Sequence, residues 1–207
     1  MSRGGRKPFW EAAYQDPQAS SVFGPVSDEI KQLLPKLPPQ AEVLDLGCGD
    51  GRNALFLIEQ EMIVTAVDNS QNAIAKLTSK AGAYADRLRI HVVDVRDYVP
   101  EHSFDAIIAH GILHLLPRPD WSRLIQRMKE MTKPLGFNVV AVFSDSLPPP
   151  DDLSPFAIGL FREGELLDQY SDWNVELFDS LIKEDQHPGG VRHRHPVNKI
   201  VAQKRKC

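Results

Sequence analysis

Between residues 40 and 144, short β-branched and apolar runs alternate with longer segments whose apolar residues recur every three or four positions. The runs at 42–45, 63–67, 89–93, 104–109 and 137–143 predict five strands, and helices fill the gaps. Such alternation builds βαβ units, hence a mostly parallel sheet covered by helices on both faces in three layers, an α/β Rossmann-like fold. The clearest helix carries Trp121, Leu124, Ile125 and Met128 at i, i+3, i+4 and i+7, a single apolar stripe. Lys133-Pro134 ends it, and Gly136 is expected to permit the turn into the fifth strand.

Beyond residue 144 the pattern changes. Pro148, Pro149, Pro150 and Pro155 exclude helix and central strand, so this stretch reads as a loop or lid. Residues 162–170 have the spacing of a short helix. The alternating runs at 175–178 and 196–202 predict an antiparallel C-terminal hairpin, closing a sheet of about seven strands. The 207 residues, 42% hydrophobic and 25% charged, suit one globular domain. A net charge of −4 argues against a protein that binds nucleic acid by neutralising phosphates. No apolar run approaches the roughly 18 to 20 residues needed to span a bilayer, and the basic N-terminus lacks the apolar core of a secretory signal. Cys48 and Cys207 are badly placed for a structural disulfide, so a cytoplasmic setting is expected. The seven His fall at no familiar metal-ligand spacing, and no metal is expected.

The first strand runs straight into Asp45-Leu-Gly-Cys-Gly-Asp-Gly-Arg-Asn53 and then an apolar helix. Strand, glycine turn and helix make a nucleotide-type site, because glycine lets a ligand approach the backbone and the helix start offers free N–H groups. The spacing of Gly47, Gly49 and Gly51, with Arg52 at the sixth position, disfavours a dinucleotide. Asp68 ends the second strand 21 residues after Gly47, where a carboxylate accepts from ribose hydroxyls; the competing reading is a helix N-cap. Asn69 follows it. Asp94 ends the third strand, placed to meet an adenine amino group while Val95 packs beside the ring. Asp45, Asp68 and Asp94 thus share the sheet edge where open α/β folds bind ligands. Cys48 reads as a small buried filler.

These motifs resemble those of the class I methyltransferases. Leu44-Asp-Leu-Gly-Cys-Gly-Asp-Gly51 is similar to their first motif, Ala66-Val-Asp68 to the second and Val93-Asp-Val95 to the third. Residues 49–55 and the stretch 155–173 resemble, more narrowly, the tellurite-resistance methyltransferases. The resemblance implies S-adenosylmethionine as cofactor, held by Asp45, Gly47, Gly49, Arg52, Asn53, Asp68, Asn69, Asp94 and Val95. It implies that Ala109 and His110 meet the cofactor's amino group, and that His114 caps or packs. It implies a small acceptor, a tellurite- or selenite-type oxyanion or a thiol, and no nucleic acid. On this reading residues 1–207 form one domain, with a helical cover at 1–40, a cofactor-binding core at 41–144 and a substrate cover with the hairpin at 145–207. A non-catalytic module that senses the cofactor is the reading from another class.

Residues 185–195 concentrate three His and two Arg in the hairpin turn. The resemblance implies a His before the turn and an Arg after it over the methyl group; His187 and Arg192 match best, with His193 and Arg194 as alternatives. The plainer reading is a solvated basic edge strand that discourages sheet pairing. Trp10 and Tyr14, four apart on an N-terminal helix, either close over the cofactor or pack in the core.

Overall fold

A computed structural model describes residues 7–16, 19–21, 23–186 and 192–206. The strands are β1 Glu42–Leu46, β2 Ile63–Asp68, β3 Leu88–Val92, β4 Phe104–His110, β5 Thr132–Phe143, β6 Asn174–Asp185 and β7 His193–Gln203. They form one seven-stranded sheet in the order β3-β2-β1-β4-β5-β7-β6. The first five strands pair in parallel, and β7 runs antiparallel to both neighbours. This is the fold of the class I methyltransferases. Chain order reverses at β1, which pairs with β2 on one side and β4 on the other; ligand crevices open at such a switch point.

Alternation along each strand divides the core in two. Leu44 and Leu46 of β1 with Ile107 and Ala109 of β4 face a cluster completed by the stripe Trp121, Leu124, Ile125 and Met128 of α5 (Arg118–Met131). Val43, Ala106 and Ile108 face the other way. There they meet α2 (Asp28–Leu33), α3 (Arg52–Glu59) and α4 (Gln71–Ala81) through Ile30, Leu57 and Leu77. The two remaining helices, α1 (Phe9–Tyr14) and α6 (Glu165–Gln169), lie in the flanking segments. No helix among the described residues is long and apolar enough to cross a membrane.

The boundaries correct the sequence reading in three places. β5 begins at Thr132, directly after α5, and the residue with positive φ (62°) is Leu135 rather than Gly136. Gly136 is required for closeness instead: a Cβ there would lie 2.8 Å from the Asp105 carbonyl oxygen, across the bulge between β4 and β5. The helix expected over 162–170 starts only after Gly164. β7, with its His and Arg residues, is an interior strand between β5 and β6, and β6 is the edge.

Candidate active site

The glycine turn fixes the floor of the site. Gly47, Gly49 and Gly51 all have positive φ (69°, 55° and 84°), and a Cβ at Gly51 would lie 2.3 Å from Leu77 Cδ1 of α4. The turn is tied to β2, because the N–H groups of Gly47 and Cys48 donate to the Val67 carbonyl at 2.8 and 3.1 Å. Asp68 Oδ2 accepts from the Gly49 N–H at 2.9 Å and its Oδ1 from the Ser70 N–H at 2.8 Å. Burial pushes the Asp68 carboxyl up, and these two bonds oppose it. The N-cap of α4 is Ser70, not Asp68: its hydroxyl accepts from the Ala73 N–H. Cys48 is buried, and burial pushes its thiol well above the usual range, as expected of an inert filler.

Over this floor lies a cavity of about 720 Å³, lined by residues from both ends of the chain and from β1, β2, β4, β5, β6 and β7. It includes Asp45, Gly47, Gly49, Arg52, Asn53, Asp68, Asn69, Asp94 and His110 of the predicted set, and also Trp10 and Tyr14. A narrower recess of about 50 Å³ beside Asp68, Asn69 and Asp94 is walled by Val95, Ile112 and Leu116. Trp10 meets Phe156 edge-on at 5.4 Å, so α1 and the proline-rich loop touch each other above the cavity. Tyr14 is buried, and a Cβ on Gly49 would lie 2.7 Å from its hydroxyl. Both aromatics therefore border the cavity rather than only the core.

Asp45 carries the clearest unmet demand. It is 2% exposed, and its Oδ2 is buried without a hydrogen-bond partner among the described residues. Burial pushes its carboxyl up to about 7, with Asp68 adding to the rise and Arg52 opposing it. A positively charged ligand group against Oδ2 would supply the missing donor and restore the carboxylate.

Other predicted residues have different partners. Both Asp94 oxygens are held by the Arg96 guanidinium, at 2.9 and 2.7 Å, so Asp94 is not a free acceptor for an adenine amino group but one shared with Arg96. Asn53 Oδ1 accepts from the Ser27 hydroxyl and secures α2. Ala109 is fully buried within β4 and does not reach the cavity; His110, Gly111 and Ile112 form that wall. Arg192 is exposed, ion-paired with Glu184 and outside the lining, because β7 presents His195, Val197 and Lys199 inward instead. His187 lies outside the described residues.

Sequence reasoning missed a charged chain across the back wall. Arg52 donates to His110 Nδ1 at 2.6 Å, which leaves the proton on Nε2 to donate to Glu29 Oε1 at 2.8 Å. Lys199 donates to Glu29 Oε2 at 2.9 Å. Burial alone would raise the Glu29 carboxyl, but the bonds from His110 and Lys199 hold it at about 2; burial lowers His110 and keeps it neutral. Arg52 also feels Asp45 and Asp50, so the wall carries two cations, Arg52 and Lys199, set among carboxylates. Among the described residues no cluster suits a metal ion.

A family model described as "Tellurite resistance protein TehB" matches residues 10–189. The "Probable S-adenosyl-L-methionine-dependent methyltransferase TehB" of Haemophilus influenzae is 31% identical over 179 residues, 84% of this chain and 59% of that protein. This chain therefore spans less than two thirds of that relative. A "Carboxy-S-adenosyl-L-methionine synthase" of Campylobacter concisus is 28% identical over 173 residues, 81% of this chain and 72% of that one. The solved structure of TehB from Haemophilus influenzae superposes with a TM-score of 0.77 at 25% identity, covering 87% of this chain and 63% of the other. On the match over 10–189, the chain belongs to the TehB family of tellurite resistance proteins.

Proposed function

We propose that the protein binds S-adenosylmethionine and transfers its methyl group to a small anionic acceptor, an oxyanion of the selenite or tellurite type. The observation that carries this reading is the presence, in one cavity, of a buried carboxylate at Asp45 whose Oδ2 lacks a partner among the described residues and of two cations, Arg52 and Lys199. Asp45 faces the ammonium of the methionine moiety, Asp68 the ribose hydroxyls, and Val95 with Ile112 the adenine ring. Bound there, the cofactor supplies a methyl group on a sulfonium sulfur, which a lone pair in line displaces as the S–C electron pair returns to sulfur. Arg52 and Lys199 draw in the anion, and positioning of this kind is worth roughly 7 to 11 kcal/mol. Trp10, Tyr14 and Phe156 exclude water above it. The acceptor is assigned to this wall rather than to Arg192.

The apolar face made by Phe9, Trp10, Phe23 and Leu153 favours a second reading, a thiol or another small organic acceptor. Incubation with S-adenosylmethionine and a panel of selenite, tellurite and small thiols separates the two by which products carry the new methyl group. Oxyanion turnover above thiol turnover is the expected result. Absence of methylated product from every acceptor would leave a binding module.

Asp45 makes cofactor binding pH-dependent. Its folded pKa of about 7 lies above the ordinary 3.8, so in the free protein its stabilising contribution is present at low pH and lost as pH rises through 7. The ammonium draws it back to the carboxylate. Binding at pH 6 should therefore release close to one proton, with affinity rising as pH increases from 5 toward 7; above pH 8, where the ligand's own α-amino group loses its proton, release should give way to uptake. Calorimetry in buffers of different ionisation enthalpy measures this directly; no proton release at pH 6 would remove Asp45 from the ammonium.

A further inference from the structure

His114 has no role in the scheme above. It sits in the 3-10 turn Leu113–Leu115 after β4, 2% exposed, and lines the cavity. The backbone N–H of Phe143, at the end of β5, donates to its Nδ1 at 3.2 Å. A ring nitrogen that accepts carries no proton, so the proton of the neutral ring is on Nε2. The ring lies against Phe143, centroids 4.2 Å apart and planes at 26°, and Phe143 stacks in turn on His195 at 4.5 Å. This stack fixes which way the imidazole points. Among the described residues no group accepts from Nε2, and Nε2 is not among the buried side-chain atoms left unpaired. The cavity is what remains for it.

We propose that His114 Nε2–H binds an oxygen of the oxyanion acceptor, as a neutral hydrogen-bond donor on the β4–β5–β7 side of the cavity. This rests on the functional reading above. The side matters: the glycine turn, Asp68 and Asp94 line the β1–β3 side, while His114, His195 and Lys199, with the ion-paired Lys183 and Asp185 of β6, line the other, which is left for the acceptor. Neutrality matters as well. Burial, then the neighbouring His195 and His110, push the His114 imidazole down to about 3, so it donates without becoming an imidazolium. An imidazolium would hold the same oxygen but could protonate it, which lowers the anion's charge and makes it a weaker nucleophile. The positive charge is supplied by Arg52 and Lys199, and His114 adds direction.

The substitution His114→Gln keeps the geometry, since the amide Oε1 can accept from the Phe143 N–H while its Nε2 donates; His114→Phe keeps the stack and loses the donor. With the protein saturated in S-adenosylhomocysteine and titrated with selenite, H114F should weaken selenite binding at least tenfold and leave S-adenosylhomocysteine affinity within twofold. H114Q should stay within threefold of the parent on both counts. In the unsubstituted protein, nitrogen-15 spectra should show an unprotonated Nδ1 and an Nε2–H whose shift moves with selenite, a readout that does not depend on any variant folding. Selenite affinity unchanged in H114F, no selenite binding to the parent complex, or a proton on Nδ1 would each overturn the proposal. Turnover is scored separately: selenite that binds through His114 but is not methylated refutes the functional reading and leaves this one standing.

Discussion

Replacing Asp68 by Ala is expected to lower affinity for S-adenosylhomocysteine at least a hundredfold, the larger of the two binding losses we anticipate around the cofactor. Two effects add. The carboxylate would lose its bonds to the ribose hydroxyls, and hydrogen bonds to a charged group contribute about 1.5–3 kcal/mol each. It would also release the N–H groups of Gly49 and Ser70, which it now bridges at 2.9 and 2.8 Å, so the glycine turn loses its anchor to the end of β2. A total near 3 kcal/mol is about a hundredfold. Asp68→Asn keeps one accepting oxygen, enough for Gly49 or Ser70 but not both, and should fall between the two at about tenfold. Calorimetry with S-adenosylhomocysteine measures the series. Parent-like affinity in the Ala variant, with thermal stability retained, would show that the ribose is bound elsewhere.

The same residue illustrates what was legible in the sequence. Asp68 could be placed because a strand end and a fixed chain distance from the glycine turn put it at the switch point, and no side-chain contact had to be known. β1, β2, β4 and β5 were readable for a related reason: helices cover both faces, so their interiors stay apolar, as in the Ala106–Ala109 segment, which is fully buried; β3, at the edge, was readable from its alternation instead. The hairpin was underestimated. β6 runs over Asn174–Asp185, although only 175–178 stood out, because an edge strand bearing Asp179, Ser180, Lys183 and Glu184 is held by backbone pairing to β7 rather than by apolar burial. Arg192 was misplaced by the same strand. Its partner is Glu184 across the hairpin, and register, invisible in composition, decides which β7 side chains turn inward.

The charged wall was not legible at all in its assembly. Glu29, Arg52, His110 and Lys199 come from α2, α3, β4 and β7, and the ion pair between Glu29 and Lys199 spans 170 positions. Glu29 reads as an ordinary acidic residue in a helix's first turn. One signal was present: Asn198-Lys199 interrupts an otherwise apolar run, and polar residues inside a central strand call for a partner.

Lys76→Met should be the most destabilising of the substitutions considered. Lys76, in the middle of α4, is paired with Asp50 of the glycine turn at 3.2 Å, with side chains 1% and 2% exposed. Its Nζ also donates to the Ala13 carbonyl at 3.2 Å, and the Ser21 hydroxyl donates to Asp50 Oδ1 at 2.7 Å. One buried ion pair thus ties both flanks of the N-terminal cover to the floor of the site. Removing one partner strands a buried carboxylate, at a cost of about 3–5 kcal/mol. At about 2–4 °C per kcal/mol for a domain of this size, the melting temperature should fall by about 6–20 °C. Adding Asp50→Asn removes the stranded charge and leaves an oxygen for Ser21, so the double variant should be more stable than Lys76→Met alone. Scanning calorimetry of the cycle tests this; additive losses would mean that the pair is not coupled. Lys76→Met should also weaken cofactor binding, and the double variant should restore it only in part. The Ala13 carbonyl still lacks its donor, and α1, which carries Trp10 and Tyr14, is held less firmly over the cavity.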